Sequence, residues 1–437
     1  MTKGNQKQPT AGANRQQTAA EHLFEFEKVP FSKGTNKPKT TDEELNSRYA
    51  KGGFRIVTEQ ARYPLAGILG MLQEEIENDD GKKELRYKLD PEYQRRHRWS
   101  VERKSRLIES FLINVPVPPV FLYERDLARF EVMDGRQRLT ALSEFYADKF
   151  ALCGLQHWPE LDGRTYSQLP SKIRDGIDRR YISSIILLKE TAADEEQSTA
   201  LKKMVFERLN SGGVKLASQE TRNAVYNGPL NQLCIELSAN ENFRRMWGIP
   251  LNPKSEEKNV DEEIDEEEEP LDDSTKVGIQ MFEKMEDVEL VLRFFAYRKI
   301  NDFKAGLNKI SEFLDYFIAI GNKFPPEGLT EYRSMFDDTV DFVWKVLGNE
   351  AFTILDHSKR RPTKIVYDPL MFAASSPKVV PHRDRLIAHE GVLEEKLKEM
   401  YKVQHDLFAG RRTNFSDTQD RNKCMSEAFA SAIAMTQ

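Results

Sequence analysis

The spacing of hydrophobic positions predicts two regions that differ in secondary structure. Up to about residue 225, short unbroken apolar runs, typical of buried strands, alternate with segments of helical spacing. From about residue 226 onward, apolar residues recur every three or four positions, which indicates helices. The sequence therefore predicts an α+β fold class, with a mixed α/β domain over residues 51–225 followed by a mainly α-helical region over residues 226–437.

Individual elements follow from the same periodicity and from capping signals. Ser100 and Ser218 are expected N-caps, and the prolines after residue 113 and the two glycines 212 and 213 are expected helix stops. Four strands are predicted. The first begins near residues 54–57, the second and third cover residues 119–124 and 130–134, and the fourth ends near residue 188. The predicted helices cover 63–78, 101–113, 135–148, 195–213, 218–228, 287–299, 309–322, 330–348, 383–405 and 420–436.

Two segments differ in composition from the rest of the chain. Residues 1–50 are rich in Gln, Thr, Lys, Asn and Gly, so we expect a mostly disordered tail. Its apolar patch, residues 23–31 (LFEFEKVPF), is expected to dock on the body of the protein. Residues 256–273 contain twelve acidic residues and one lysine, so we expect a solvated acidic linker over residues 255–274.

Composition and charge exclude some classes of protein. The net charge is −6, but without the acidic stretch the rest of the chain carries +5, so contact with nucleic acid is compatible with the sequence. The longest apolar runs fall far short of a membrane span of about 20 residues, and residues 1–22 lack the apolar core of a secretory signal. Three widely spaced cysteines fit a reducing cytoplasm.

The strongest candidate for chemistry is the segment Asp134-Gly135-Arg136-Gln137-Arg138, where a predicted strand passes directly into a predicted helix. A helix N-terminus attracts anions, a glycine permits a tight turn, and arginine suits bidentate phosphate contact. Asp134 is a candidate to hold a divalent cation or to orient a water molecule. The alternative is structural: Asp134 caps the helix and the arginines pair with surface carboxylates.

Two further clusters are weaker candidates when each is taken alone. The segment Tyr93–Trp99 combines three arginines and a histidine with two aromatic residues, a composition that can stack a base and hold phosphates. The alternative is a solvated basic edge with Trp99 in the core. In Phe206–Leu216, the Asn-Ser-Gly-Gly stretch can approach a ligand closely, or can simply end a helix.

Basic residues in the C-terminal region are candidates to contact a DNA backbone. Arg360 and Arg361 lie in one basic stretch, and Arg411 and Arg412 lie in another. The alternative, solvated charge at capped turns, stays open.

Five segments in this order resemble the GmrSD restriction-endonuclease N-terminal domain family (domain of unknown function 262), which is itself similar to the ParB/sulfiredoxin fold. Tyr93–Trp99 resembles the family's Y-Q-R-x-Y-x-W segment, and Val117–Leu122 resembles its I-P-P-I-F-L strand. Asp134–Leu142 resembles D-G-Q-Q-R-L-T-x-L, although Arg136 replaces the first glutamine. Phe206–Gly213 and Glu220–Ala224 resemble F-x-R-L-N-x-G-G and E-x-R-N-A.

The resemblance implies a site that binds a nucleoside triphosphate of unknown base and hydrolyses it with Mg²⁺ or another divalent cation. It implies Asp134, Gln137 and Arg138 as catalytic residues, with Asp134 also as the metal ligand. The implied nucleotide-binding residues are Arg95, Arg98, Trp99, Gly135, Arg136, Thr140, Asn210, Gly212 and Gly213.

The resemblance also implies a role in DNA restriction or phage defence and leaves two other functions open. One is a ParB-like, metal-dependent nuclease. The other is a module that senses a nucleotide or modified DNA without hydrolysis and controls a separate nuclease. Some relatives add an HNH nuclease, but His357, His382, His389 and His405 lack the expected arrangement. Expected partners are DNA, a separate nuclease or modification subunit, and a second copy in a homodimer.

Overall fold

A five-stranded mixed sheet organises the N-terminal part of the chain. The computed structural model describes residues 24–27, 41–50, 56–77, 81–89, 99–189, 195–209, 217–251, 275–300, 310–355, 361–408 and 415–436. The strand order is β1-β7-β5-β6-β4, and β2 and β3 form a separate antiparallel hairpin. The strands are β1 (Thr58–Pro64), β2 (Glu75–Glu77), β3 (Lys83–Leu85), β4 (Tyr87–Lys88), β5 (Val120–Asp126), β6 (Arg129–Asp134) and β7 (Tyr181–Leu187).

Helices cover both faces of this sheet and are the main elements of the rest of the described chain. The N-terminal helices are α1 (Asp42–Ala50), α2 (Ile68–Gln73), α3 (Val101–Leu112), α4 (Arg136–Tyr146), α5 (Ser171–Asp178), α6 (Glu195–Leu209) and α7 (Ser218–Val225). The later helices are α8 (Pro229–Leu237), α9 (Glu241–Trp247), α10 (Lys276–Glu283), α11 (Glu286–Tyr297), α12 (Ile310–Gly321), α13 (Pro326–Leu347), α14 (Lys364–Ala374), α15 (Arg383–Ala388), α16 (Val392–Val403), α17 (His405–Phe408) and α18 (Phe415–Met435). The predicted fold class, a mixed α/β part followed by a mainly helical part, is confirmed.

The pleat of strand β5 shows how the sheet is buried on both faces. Leu122 is fully buried in the core that α3 and α4 form with one face of the sheet. Its neighbour Tyr123 points to the opposite face and packs with Leu201 and Val205 of α6. The sheet therefore lies between α3–α4 and α6.

The helical region has a core of its own, built from large aromatic side chains. Phe243, Phe295, Tyr332, Phe336 and Tyr367 are fully buried there. The expected docking of the N-terminal apolar patch is confirmed for Phe24 and Phe26, which pack against this core. Helix α1 lies within the segment expected to be mostly disordered, and the sequence did not predict it.

Several predicted boundaries were wrong for local physical reasons. The strand expected to begin near residues 54–57 begins at Thr58 and runs to Pro64, where it pairs with β7. The helix expected over 63–78 is confined to Ile68–Gln73, since Glu74 is extended and β2 follows. The helix expected over 383–405 is divided, and Gly391, at a φ of +80°, is the N-cap of α16. Ala217, not Ser218, is the N-cap of α7.

The acidic linker lies outside the described residues, and the predicted domain boundaries stay predictions. Across the parts of the chain that the structure describes, none of the helices is both long and apolar enough to cross a bilayer.

Candidate functional site

The turn between β6 and α4 is the geometric centre of the candidate site. Asp134 ends β6 and pairs in register with Phe121 of β5. Gly135 follows with a φ of +95° and is the N-cap of α4. A Cβ on Gly135 would overlap Cγ1 of Val120 and lie 2.9 Å from its Cβ. Glycine is therefore required here both for its backbone conformation and for close packing on β5.

Arg138 fixes the turn from one helical turn further along α4. Its Nη2 donates to Oδ2 of Asp134 at 2.9 Å, and its Nη1 donates to the backbone carbonyl of Pro118 at 2.6 Å. The Arg138 side chain is mostly buried, whereas the Asp134 side chain is one-third exposed. Asp134 therefore presents a carboxylate to solvent while one of its oxygens is held by arginine.

These contacts bear on the structural interpretation of Asp134 that the sequence left open. Gly135 occupies the N-cap position, so α4 has no side-chain cap from Asp134. The carboxylate pairs instead with Arg138, four residues later. The structural alternative is thus correct in pairing an arginine with a carboxylate and wrong in making Asp134 the cap.

Trp99 lies beside this turn. Its backbone N–H donates to Oε1 of Gln137 at 3.3 Å, and its ring packs partly against the core. Ser100 caps α3 by accepting from the backbone N–H of Arg103 at 3.3 Å. The N-termini of α3 and α4 therefore meet at the Trp99–Gln137 hydrogen bond.

Arg103 belongs to this group, although the sequence analysis did not select it. Its guanidinium carbon lies 4.8 Å from the centroid of the Trp99 ring, a cation–π contact. Arg103 is exposed, so its charge is available at the surface next to the turn. The available signal was the basic run before Trp99, which continues one turn into the predicted helix.

The remaining predicted residues divide by whether the structure describes them. Arg136 and Thr140 lie four residues apart on α4, so they share a face of the helix. Arg361 is exposed and lies two residues before Thr363, whose side chain caps α14. The other predicted site residues lie outside the described residues: Arg95, Arg98, Asn210, Gly212, Gly213, Arg360, Arg411 and Arg412.

The E-x-R-N-A segment has a structural role that the sequence did not reveal. Glu220 accepts from the backbone N–H of Ala217 and so caps α7. Arg222 is 2 % exposed and binds Asp315 of α12 and Glu289 of α11, each at 2.8 Å. This motif therefore joins the sheet-containing part to the helical part.

Helix α6 makes the same connection through two adjacent lysines. Lys202 binds Glu131 of β6 at 2.8 Å, three residues before Asp134. Lys203 binds Asp315, the carboxylate that also holds Arg222. Asp315 is thus shared by α6 and α7.

The predicted metal site has one carboxylate among the described residues. No group of three or more His, Cys, Asp or Glu suited to a metal ion occurs in the described ranges. Mg²⁺ often binds proteins through only one or two carboxylates and takes its other ligands from substrate phosphates and water. Asp134 fits that kind of site once its oxygens are released from Arg138 or shared with it.

Comparison with known proteins agrees with the motifs. Residues 72–227 match the family model described as GmrSD restriction endonuclease, N-terminal domain. Searches of curated proteins and of solved structures gave no match. The matched range contains all five motif segments and the whole β6–α4 turn. Residues 72–227 are therefore similar to the N-terminal domain of GmrSD restriction endonucleases.

Proposed function

We propose that this protein binds a nucleoside triphosphate at the β6–α4 turn and hydrolyses it as part of a DNA restriction or phage-defence system in the cytoplasm. The observation that carries the proposal is the glycine-dependent passage from β6 into α4, with Arg136 and Arg138 in the first turn of the helix. A helix N-terminus presents backbone N–H groups and a partial positive charge, which suit a phosphate. The base of the nucleotide is left open.

Three arginines give the turn the charge that a triphosphate requires. Arg136 and Arg138 lie in the first turn of α4, and Arg103 lies over Trp99 at the start of α3. Arginine holds phosphate oxygens in bidentate geometry and stays charged at any physiological pH. Arg95, Arg98, Asn210, Gly212 and Gly213 remain candidates from sequence for the same ligand.

In this proposal the chain's side chains position the reactants and stabilise charge. Gln137 orients the attacking water, because its amide is held by the backbone of Trp99 and its position is fixed. Arg138 balances the charge that develops on the phosphates. A bound divalent cation would neutralise phosphate charge, and Asp134 is the residue that would hold it.

The Asp134–Arg138 ion pair favours a second candidate function. A carboxylate held at 2.9 Å by a mostly buried arginine already has a charge partner, so a metal ion or an attacking water must compete with Arg138 for it. That competition suits a module that binds a nucleotide, or senses modified DNA, without turnover. Such a module would control a separate nuclease, which remains the alternative to the NTPase.

The metal-dependent nuclease stays a prediction, and it would use the same carboxylate, Asp134. Contact with DNA through Arg361 and its predicted companions stays a prediction. A partner nuclease or modification subunit, and a homodimer, also stay predictions.

The test is phosphate release from each of the four NTPs with Mg²⁺, with and without DNA, for the wild type and Asp134→Asn. We expect turnover in the wild type and a loss of about 100-fold or more in the variant. Asp126→Asn is the matched control, since it removes a carboxylate from the same β5–β6 hairpin and should leave turnover unchanged.

Each other outcome separates the alternatives. Nucleotide binding without turnover in the wild type would establish the sensing module. If Asp134→Asn releases phosphate at the same rate as the wild type, Asp134 has no part in the mechanism. Metal-dependent nicking of plasmid DNA that Asp134→Asn abolishes would establish the nuclease.

A further inference from the structure

Phe24–Glu27, here called the anchor, is bound in a cleft of the helical part. The ring of Phe26 lies 5.1 Å from that of Phe324 and 5.6 Å from that of Tyr332. Gly328 of α13 lies directly below it, where a Cβ would come within 2.9 Å of the Phe26 ring. The anchor cleft, lined by Arg298, Phe324, Gly328 and Tyr332, is therefore shaped to an aromatic side chain.

The same cleft recognises a carboxylate. Glu27 is 0 % exposed and accepts from the hydroxyl of Tyr332 at 2.6 Å and from Nη2 of Arg298 at 3.2 Å. Lys299 donates to the backbone carbonyl of Glu27. A fully buried carboxylate is stable only where partners such as these compensate its desolvation, so the cleft selects glutamate at this position.

The guanidinium of Arg298 also covers the ring of Phe24, at 5.1 Å from its centroid. The cleft thus recognises the pattern Phe-x-Phe-Glu through two aromatic rings and one charge. Beyond Phe24 it continues as a groove of about 610 Å³, bounded by Met335, Pro377 and Arg383. That volume gives room for residues that precede the pattern in a longer peptide.

These contacts join positions that are far apart in sequence, for example Glu27 and Tyr332, which are 305 residues apart. Thirteen residues separate Glu27 from Thr41, the next described residue, and a connection of that length can span up to about 45 Å. None of the contacts requires the anchor and the cleft to belong to the same molecule. A segment held this way can be exchanged between copies, which is the route of domain swapping.

We propose that the anchor cleft is a peptide-binding site for Phe-x-Phe-Glu, and that its ligand in trans is the N-terminal segment of a second copy of this chain. The sequence seen in the cleft is the chain's own, so another copy offers the same rings and the same carboxylate. Binding within one molecule competes through its high effective concentration, and a chain whose own anchor is defective is open to a partner's.

The first experiment measures binding of a fluorescein-labelled peptide of residues 20–31 to the full-length chain carrying Phe26→Ala and Glu27→Gln. We expect saturable binding by fluorescence anisotropy. A peptide with Glu27→Gln should bind at least about tenfold more weakly, since it loses charge-assisted hydrogen bonds. The control peptide carries Glu21→Gln, which gives it the same net charge as the Glu27→Gln peptide. It keeps the four anchor residues and should bind as tightly as the unmodified peptide.

Gly328→Leu, added to the same chain, fills the space of the Phe26 ring and should abolish peptide binding. Leucine is a better helix former than glycine, so α13 itself should persist. Absence of saturable binding to the anchor-defective chain would overturn the proposal. If the double variant does not fold, Glu27→Gln alone is used with the same peptides and the same criterion.

The second experiment mixes two full-length chains, one anchor-defective and one with Gly328→Leu, which retains its anchor and lacks a usable cleft. Each chain alone is expected to be monomeric, and the mixture is expected to form a one-to-one complex by light scattering. A mixture that stays monomeric while the peptide binds would overturn the second copy as the ligand.

Discussion

At the scale of single residues, Gly135 determines whether β6 can pass directly into α4, because its φ of +95° is one that L side chains rarely adopt. We expect Gly135→Ala to lower the free energy of unfolding by about 2–4 kcal/mol, since it adds backbone strain to an overlap with Val120. Urea denaturation measures this change.

Gly163→Ala is the control for that substitution. Gly163 has a φ of +83°, but a Cβ there would meet no atom within 4 Å. It should cost only about 1–2 kcal/mol, the strain of the left-handed conformation. Equal costs at the two glycines would mean that Val120 moves aside and that close packing does not define the turn.

At the scale of elements, α6 and α7 connect the candidate site to the helical part through Asp315. Asp315→Asn removes the charge that Lys203 and the buried Arg222 share, although Arg222 keeps Glu289, and breaking a buried ion pair costs about 3–5 kcal/mol. We therefore expect a loss of this size in urea denaturation. Asp341→Asn, which breaks an exposed pair with Lys345, should cost less than about 1 kcal/mol. Similar small losses in both variants would show that the Asp315 cluster is not a buried connection.

The elements also show how much the sequence could predict. Periodicity and capping predicted α3 and α4, and the apolar runs predicted β5 and β7. For most of the predicted ends, the observed end lies within about two residues. These segments carry a strong local signal. It failed over residues 63–78, where a helical pattern pairs as strand β1 at its start, and that pairing depends on β7, more than a hundred residues away.

The same limit applies to the candidate site. The turn from Asp134 to Arg138 was predicted because its chemistry is contiguous in sequence. The bond from Arg138 to the carbonyl of Pro118 was not predicted, since a backbone acceptor carries no signature in sequence. Arg222 was recognised as part of a motif, but its role depends on Asp315 and Glu289, which only the tertiary structure brings to it.

At the scale of the whole molecule, the chain has a core around the sheet and a separate core among the later helices. Between the two cores lies a network of ion pairs that is centred on Glu289. Glu289 binds Arg222 of α7 and Lys364 of α14, and Arg293 lies 3.9 Å away. Lys364 lies three residues after Arg361, a candidate for DNA contact, but Lys364 itself is held in ion pairs with Glu286 and Glu289.

The charge of Glu289 makes stability depend on pH in a defined direction. Burial raises the pKa of this carboxyl, but Lys364, Arg222 and Arg293 together outweigh burial and lower the pKa to about 2. An unfolded glutamate has a pKa of about 4.3. A lowered pKa in the folded state means that the stabilisation is complete above about pH 5 and is lost as the pH falls toward 2.

We therefore expect Glu289→Gln to lower the free energy of unfolding at pH 7 by on the order of 3 kcal/mol, and to flatten its fall between pH 5 and pH 3. Glu236→Gln is the control, because its pKa is also lowered, by Arg333, but that pair is exposed and should leave the acid slope almost unchanged. Urea denaturation at pH 7, 5 and 3 compares the three chains. An acid slope in Glu289→Gln as steep as in the wild type would show that other carboxylates cause the acid sensitivity. A flattened slope would show that protonation of Glu289, at the junction between the two cores, causes the loss of stability in acid. Protonation there weakens the connection between the candidate site and the helical part.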